Sequence, residues 1–176
     1  MTIDLKEISS GLPGLSQISG RHLFESCVVC LTRQNHSNTG TILEIKGDKT
    51  ITNTLIWENI FDDQLDRTWK DQFYATEHGA VCIAILLALK LTDYTIIEKS
   101  ARKNGFDYWL GEKGDILFQK KARLEISGIF QGSEKDVNKR YNIKVKQTDQ
   151  SDALRIPAYI GIVEFSKPFA NFGTKK

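Results

Sequence analysis

Three acidic residues of this chain stand where a carboxylate is costly unless it has a partner. Glu77 lies near the start of a strongly apolar segment, Asp107 lies between two aromatic residues, and Glu125 lies between two branched aliphatic residues. An unpaired carboxylate is expensive to remove from water, so such residues are usually ion-paired or bound to a metal. Mg²⁺ and similar hard cations bind one or two carboxylates together with water and substrate phosphate. A cation of this kind activates water and stabilises the charge of a phosphoryl displacement. The three acids are therefore candidates for a Mg²⁺ or Mn²⁺ site.

The segments around the acids predict the elements that position them. ATEHGAVCIAILLALKLTDY is apolar over most of its circumference, which predicts a helix buried between layers with Glu77 in its first turn. TIIEKS and FDYWL predict two strands, the second carrying Asp107, and DILFQKKARLEISGIF predicts a long strand carrying Glu125. Ser133 is a predicted N-cap of a second, basic helix, and Pro157 introduces AYIGIVEFS, a predicted central strand.

This order of elements and acids resembles the PD-(D/E)XK, or restriction-endonuclease-like, superfamily over roughly residues 72–166. The resemblance implies a metal-dependent phosphodiesterase in which Asp107 and Glu125 bind the metal and Glu77 assists as an auxiliary acid. It also implies Mg²⁺ or Mn²⁺ as cofactor and nucleic acid as substrate, in a defence or DNA-repair context. A likeness of fold is an associational argument for function, so the site itself has to carry the conclusion.

The chain departs from the superfamily at one position. A lysine two residues after the second acid usually positions the nucleophilic water, and this sequence has Ser127 there. Alternation along the strand places Lys121, Arg123, Glu125 and Ser127 on one face. Arg123 or Lys121 is therefore the candidate for the missing positive charge, although arginine is a poor proton carrier. The sequence leaves open whether the site is rearranged and active, or whether the chain is a non-catalytic interaction or assembly subunit.

Each acid taken alone also has a structural interpretation. Glu77 would favour the helix dipole, Asp107 would cap a turn, and Glu125 would pair with Arg123, Arg155 or a lysine across the sheet. If these interpretations hold, the three carboxylates lie far apart and the chain is a different α+β binding module.

Basic residues flank the acids along the sequence. They are candidates for phosphate contacts on a nucleic acid, because such contacts supply most of the non-specific affinity of nucleic-acid-binding proteins. The alternative is an ordinary solvated surface. The candidates are Lys99, Arg102, Lys103, Lys139, Arg140 and Lys144.

Other motifs are weaker. Cys27 and Cys30 have the spacing of half a zinc site, but no second pair follows, and their flanks predict a strand that would point them to opposite faces. His78 is adjacent to Glu77 and is a candidate for a metal site, with surface or packing roles as the alternative. The glycines form neither a dinucleotide-binding nor a P-loop motif.

The bulk properties favour a globular intracellular protein. The chain has 176 residues, 24 basic and 22 acidic side chains and a net charge of +2, so any nucleic-acid-binding surface must come from clustering of charge. Three cysteines, with no secretory signal pattern, favour a reducing compartment, and we expect a cytoplasmic location. The longest apolar stretch, residues 80–89, is about half of what a bilayer requires, so no membrane association is expected.

Together these patterns predict one α/β (α+β) domain over residues 1–176, with a mixed central sheet flanked by helices. We expect an N-terminal arm (1–24), a β extension (25–71), the nuclease-like core (72–166) and a loop-like tail (167–176). The extension is predicted to be an antiparallel meander of SCVVCLTR, TILEIKG and ITNTLIW, with GDKT as the last turn. A homo-oligomer and a partner protein both remain open.

Overall fold

One eight-stranded mixed sheet organises the chain in a computed structural model, which describes residues 1–47 and 50–175. The strands are β1 (Thr2–Asp4), β2 (Thr41–Lys46), β3 (Ile51–Ile56), β4 (Tyr94–Lys99), β5 (Tyr108–Glu112), β6 (Ala122–Ile129), β7 (Ala158–Glu164) and β8 (Phe169–Thr174). Across the sheet they follow the order β1-β3-β2-β8-β7-β6-β5-β4. The central pair β6–β7 is parallel, whereas β4–β5, β5–β6 and β7–β8 are antiparallel.

Helices cover both faces of this sheet, which confirms the predicted mixed α/β class. The helices are α1 (Gln17–Arg33), α2 (Asp63–Thr68), α3 (Gln72–Leu91) and α4 (Glu134–Thr148), with 3-10 helices at Leu5–Ser10 and Asp149–Leu154. α3 packs on β6 and β7 and is covered by α1, whereas α4 packs on β6, β7 and β8 from the other side.

Polar side chains set the first residues of the helices. Ser16, Asp62 and Asp71 accept hydrogen bonds from backbone amides at the starts of α1, α2 and α3. Ser133 caps α4 as predicted, and Asp136 returns the bond to the Ser133 amide to complete a capping box.

The segment of residues 25–33 is the second half of α1, so the prediction of a strand there is wrong. The N-terminal meander is reduced to the hairpin β2–β3, whose predicted turn residues 48 and 49 lie outside the described residues. A short apolar run is ambiguous between a buried strand and a buried helix. Here the run is apolar all round because α3 and the first 3-10 helix pack against α1. Cys27 and Cys30, three residues apart on the helix, are both fully buried instead of pointing to opposite sides of a sheet.

The tail contains a strand where a loop was predicted. Phe169–Thr174 forms β8, which pairs antiparallel with β7 and parallel with β2. It therefore joins the N-terminal hairpin to the rest of the sheet; Lys176 lies outside the described residues. The predicted long strand is also shorter than expected, because residues 115–118 form a turn in which Asp115 accepts from two backbone amides.

Successive side chains of β6 point to opposite faces of the sheet, so its apolar and polar residues lie on different faces. Leu124 and Ile126 belong to the core beneath α3, while Arg123, Glu125 and Ser127 are on the α4 side and make their polar contacts there or just beyond it. All five are buried. The predicted polar face of β6 thus lies inside the protein, where each polar group needs a partner.

α3 is long and apolar enough, by length and composition, to span a membrane. Most of its residues are buried between α1 and the sheet. A helix enclosed on most sides by its own protein acquires the same composition.

Candidate functional site

The site lies at an opening in the sheet beside β6. β5 pairs with β6 only as far as Leu124, so the next amides on that edge of β6 have no strand partner. The backbone N–H of Ile126 donates to Asp107 Oδ2 at 2.8 Å, and that of Gly128 donates to Glu77 Oε1 at 3.4 Å. Buried amides require acceptors, and here carboxylates replace the missing strand.

Glu125 reaches the same opening from the α4 side of β6. Its Oε1 accepts hydrogen bonds from Lys144 Nζ at 2.5 Å and from Gln147 Nε2 at 3.0 Å, both on α4. Its Oε2 is buried and has no hydrogen-bond donor among the described residues, and the residue is only 1% exposed. A buried carboxylate oxygen without a donor is costly, which points to a proton or a cation that completes it.

Asp107 and Glu125 form a close pair, with their carboxyl groups within hydrogen-bonding reach of each other. Burial, and then the charge of Asp107, raise the pKa of Glu125 to about 7 despite the neighbouring Lys144. Burial also raises the pKa of Asp107, which the Ile126 amide, Lys144 and Lys99 oppose. Two close carboxylates that resist joint ionisation are typical of a functional site.

Glu77 lies in the second turn of α3, one turn later than predicted. It faces the same cavity as the pair. Among residues 1–47 and 50–175, however, no three His, Cys, Asp or Glu side chains come together as a ready set of metal ligands. The structure therefore brings Asp107 and Glu125 together and leaves Glu77 at the wall of the cavity.

The cavity beside the pair has a volume of about 680 Å³. That size lies within the usual range of small-molecule sites, about 300–1,000 Å³. Residues from α1, α3, α4 and the sheet contribute to its walls. Its lining includes Glu77, Asp107, Glu125, Lys99, Lys144, His22 and His78.

The donor set fits a hard divalent cation. Such ions are commonly held by one or two protein carboxylates, with water and substrate phosphate completing the coordination. Asp107 and Glu125 supply the two carboxylates, and among the described residues no hydrogen-bond donor competes for Oε2 of Glu125. The open cavity leaves room for water and a phosphate group.

Lys144 is the positive charge next to the pair, a role that the sequence interpretation gave to Arg123 or Lys121. The Arg123 guanidinium points instead to the segment after α4, where it donates to the Thr148 and Ile156 carbonyls and to the Ser151 hydroxyl. It also lies 3.3 Å from a carboxylate oxygen of Asp152. Arg123 is thus occupied in holding that segment to β6.

Lys121 and Ser127 also lie away from the Asp107–Glu125 pair. Lys121 precedes β6, and its charge acts on Asp115 in the turn after β5. Ser127 Oγ accepts from Arg140 Nη1 at 2.8 Å, which attaches α4 to β6. Neither residue lines the cavity.

Only some of the predicted phosphate-binding residues are at the site. Lys99, at the end of β4, and Lys144 line the cavity. Arg102 and Lys103 lie exposed in the turn between β4 and β5, and Lys139 is exposed on α4. Arg140, the remaining candidate, is held by Ser127.

A cluster of four rings, two of which line the cavity, was not predicted. His22, Trp69, Tyr74 and His78 have ring centroids 4.1 to 6.1 Å apart. Burial, and then the charge of His78, lower the pKa of His22, which favours its neutral ring. The spacing of Tyr74 and His78, four residues apart on one helix, was a visible signal. Nothing in the sequence indicated that these rings would contact His22 of α1 and Trp69 at the end of α2.

Comparisons of this chain with models of protein families, with curated proteins and with solved structures find no significant match. The geometry of the Asp107–Glu125 pair and its cavity is therefore the basis on which a function is proposed.

Proposed function

We propose that the protein is a divalent-metal-dependent phosphodiesterase acting on nucleic acid, with a restriction-endonuclease-like core. The observation that carries the proposal is the Asp107–Glu125 pair beside Lys144. Two close carboxylates, one with a buried oxygen that lacks a donor, are poorly stabilised by the protein alone. They line an open cavity together with two lysines.

In this proposal Asp107 and Glu125 would hold Mg²⁺ or Mn²⁺, which would supply Lewis-acid stabilisation of the phosphate and activation of water. Asp107 is fixed by the Ile126 amide, and Glu125 by Lys144 and Gln147. Both carboxylates are therefore preorganised, which reduces the cost of reorganisation during the reaction. Glu77 faces the cavity and orients water there.

Lys144 replaces the lysine that is missing from β6 two residues after Glu125. It comes from α4, nineteen residues after Glu125, and contacts the same carboxylate. A lysine ammonium is a compact charge with three donors, suited to hold Glu125 and a phosphate oxygen together. Lys99, which also lines the cavity and whose charge acts on Asp107, adds a second positive charge for the substrate backbone.

The test combines metal binding and cleavage. Calorimetry with Mn²⁺ is carried out on the wild type, Asp107→Asn, Glu125→Gln and Lys144→Met, with Lys135→Met as the matched control. Lys135 is an exposed lysine on the same helix. We expect both carboxyl variants to lose Mn²⁺ binding. Lys144→Met should keep it, because loss of a nearby positive charge does not weaken a cation site.

Cleavage of labelled single-stranded and duplex DNA and of RNA in Mg²⁺ or Mn²⁺ is then measured on the same proteins. Lys144→Met should lower the rate by about 10² or more, as loss of a charge-stabilising donor does elsewhere, while Lys135→Met cleaves like the wild type. A wild type that binds no Mn²⁺, or whose binding survives both carboxyl substitutions, would overturn the proposal. Such a result would favour the non-catalytic interaction or assembly subunit.

A further inference from the structure

The rings of His22, Trp69, Tyr74 and His78 form a four-ring cluster, two of whose members, His22 and His78, line the cavity. The Tyr74 and His78 ring centroids are 4.1 Å apart, and the His22 and Trp69 centroids are 4.5 Å apart. Trp69 is 2% exposed and forms the base of the cluster, whereas the Tyr74 residue is 47% exposed. The cluster therefore has a buried support and an accessible aromatic side.

Hydrogen bonds hold these rings in fixed orientations. His78 Nδ1 donates to the Tyr74 carbonyl oxygen at 2.9 Å, and His22 Nε2 lies 3.4 Å from the Tyr74 hydroxyl. The Trp69 indole N–H donates to Glu25 at 3.4 Å. The Tyr74 hydroxyl therefore has a neighbour in His22, and the exposed part of the Tyr74 residue includes its aromatic ring.

Two rings of the cluster share a cavity with the carboxylate pair. His22 and His78 line it together with Asp107 and Glu125, and Lys99 and Lys144 are on the side of the pair. A ligand bound in this cavity would meet positive charge, paired carboxylates and the rings of His22 and His78, which Tyr74 continues towards solvent. A nucleotide has the matching halves, a phosphate group and a flat base.

We propose that the four-ring cluster is a base-stacking platform and that the substrate is single-stranded where it enters the site. This inference rests on the proposed nuclease function and specifies its substrate. A duplex presents base edges in its grooves and keeps base faces stacked on their neighbours. A base can lie on the cluster only if it is unpaired or turned out of the helix, which is costly in a duplex and nearly free in a single strand.

Stacking of this kind also predicts low sequence preference. Every base has an aromatic face, and proteins that bind single strands combine such rings with positive charge along the backbone. The strand would place a phosphate near Lys99 and Lys144 and the neighbouring base on the exposed side of Tyr74 and its histidines.

The experiment measures binding without divalent metal, so that it is independent of cleavage. Fluorescence anisotropy in EDTA is recorded with three labelled probes: oligothymidylate, its duplex with oligoadenylate, and an abasic strand of the same length. The proteins are the wild type, Tyr74→Ala, Tyr74→Phe and Phe73→Ala. Phe73 is the matched control, because it precedes Tyr74 on α3, is 75% exposed and lies outside the four-ring cluster.

We expect the wild type to bind oligothymidylate more tightly than the duplex or the abasic strand. Tyr74→Ala should weaken oligothymidylate binding about 5- to 150-fold, the range for removal of one stacking ring, and leave abasic binding unchanged. Tyr74→Phe and Phe73→Ala should bind like the wild type. Alanine is a good helix former, and Tyr74→Ala removes no buried contact essential to the helix start, which depends on Asp71 and a backbone amide.

Three results would overturn the platform: equal binding of single strand and duplex, equal losses in Tyr74→Ala and Phe73→Ala, or an equal loss for abasic and thymidine strands. These results concern stacking alone. A protein that stacks bases but cleaves nothing with metal would refute the nuclease proposal and keep the platform. Metal-dependent cleavage combined with no effect of Tyr74→Ala on binding would refute the platform and keep the nuclease proposal.

Discussion

The Asp107–Glu125 pair should make the metal-free protein less stable as the pH rises. The pKa of Glu125 is about 7 in the folded protein, against an ordinary value of 4.5. The folded state therefore binds this proton more tightly than the unfolded chain does. The stabilisation of the folded state by this proton is fully present below about pH 4.5 and is lost as the pH rises to about 7. A salt-bridged carboxylate shows the opposite pH dependence, because its pKa is lowered in the folded state.

The size of this loss follows from the difference between the two pKa values. At about 1.4 kcal/mol for each pKa unit, the change from 4.5 to about 7 corresponds to roughly 3 kcal/mol of unfolding free energy. The raised pKa of Asp107 acts in the same direction. Since small domains are stable by about 5–15 kcal/mol, a change of this size is readily measured.

Urea unfolding in EDTA, at several pH values between 4.5 and 8.5, provides the assay, with wild type compared to Glu125→Gln. The wild type should lose about 3 kcal/mol over this range relative to the variant, since glutamine carries no proton-linked charge. Glu44→Gln, at an exposed position on β2, is the control and should follow the wild type. The lowered pKa of His22 acts in both proteins and cancels in the comparison.

Parallel pH profiles for the wild type and Glu125→Gln would refute this account of the pair. So would a wild type that gains stability relative to the variant as the pH rises. Adding Mn²⁺ at about pH 8 gives an independent check: at a hundredfold excess over the dissociation constant it should stabilise the wild type by about 2.7 kcal/mol. It should not stabilise Glu125→Gln.

Three further predictions concern the structure around the site. Arg123→Met should lower the unfolding free energy in urea by about 3 kcal/mol, because it leaves buried acceptors unpaired; a loss below about 1 kcal/mol would contradict the bracing role. Ser133→Ala should cost about 1 kcal/mol through loss of the α4 capping box, and an unchanged urea midpoint would argue against it. The thiols should resist a thiol reagent in the folded protein and react in urea, because they are buried, and burial raises the pKa of Cys27 and brings that of Cys30 to about 12. Rapid labelling of the native protein at any one of Cys27, Cys30 and Cys82 would contradict this.

Several elements could be predicted from the sequence because their patterns are local. The continuous apolar character of α3, the Ser133 cap of α4 and the apolar strand β7 each identify their element without knowledge of the fold. The acids Asp107 and Glu125 were recognisable for the same reason, since each is charged within an apolar segment.

Other elements depended on their neighbours. Residues 25–33 became the second half of α1 because α3 and the first 3-10 helix bury that helix on several sides. The tail became β8 because β2 and β7 provide edges on both of its sides. Local sequence does not report which surfaces a segment will meet.

For the site as well, the residue types were informative by themselves, whereas the contacts between the residues depended on the fold. Residue types alone identified the carboxylates as costly and therefore as candidates for a metal. Only the tertiary structure decided that the pairing of β5 with β6 ends at Leu124 and leaves an opening. It also decided that Lys144 instead of Arg123 faces Glu125, and that a four-ring cluster contributes His22 and His78 to the cavity. Packing of α4 and α1 on the sheet brings these groups together from distant parts of the chain, and no spacing within one segment encodes such a contact.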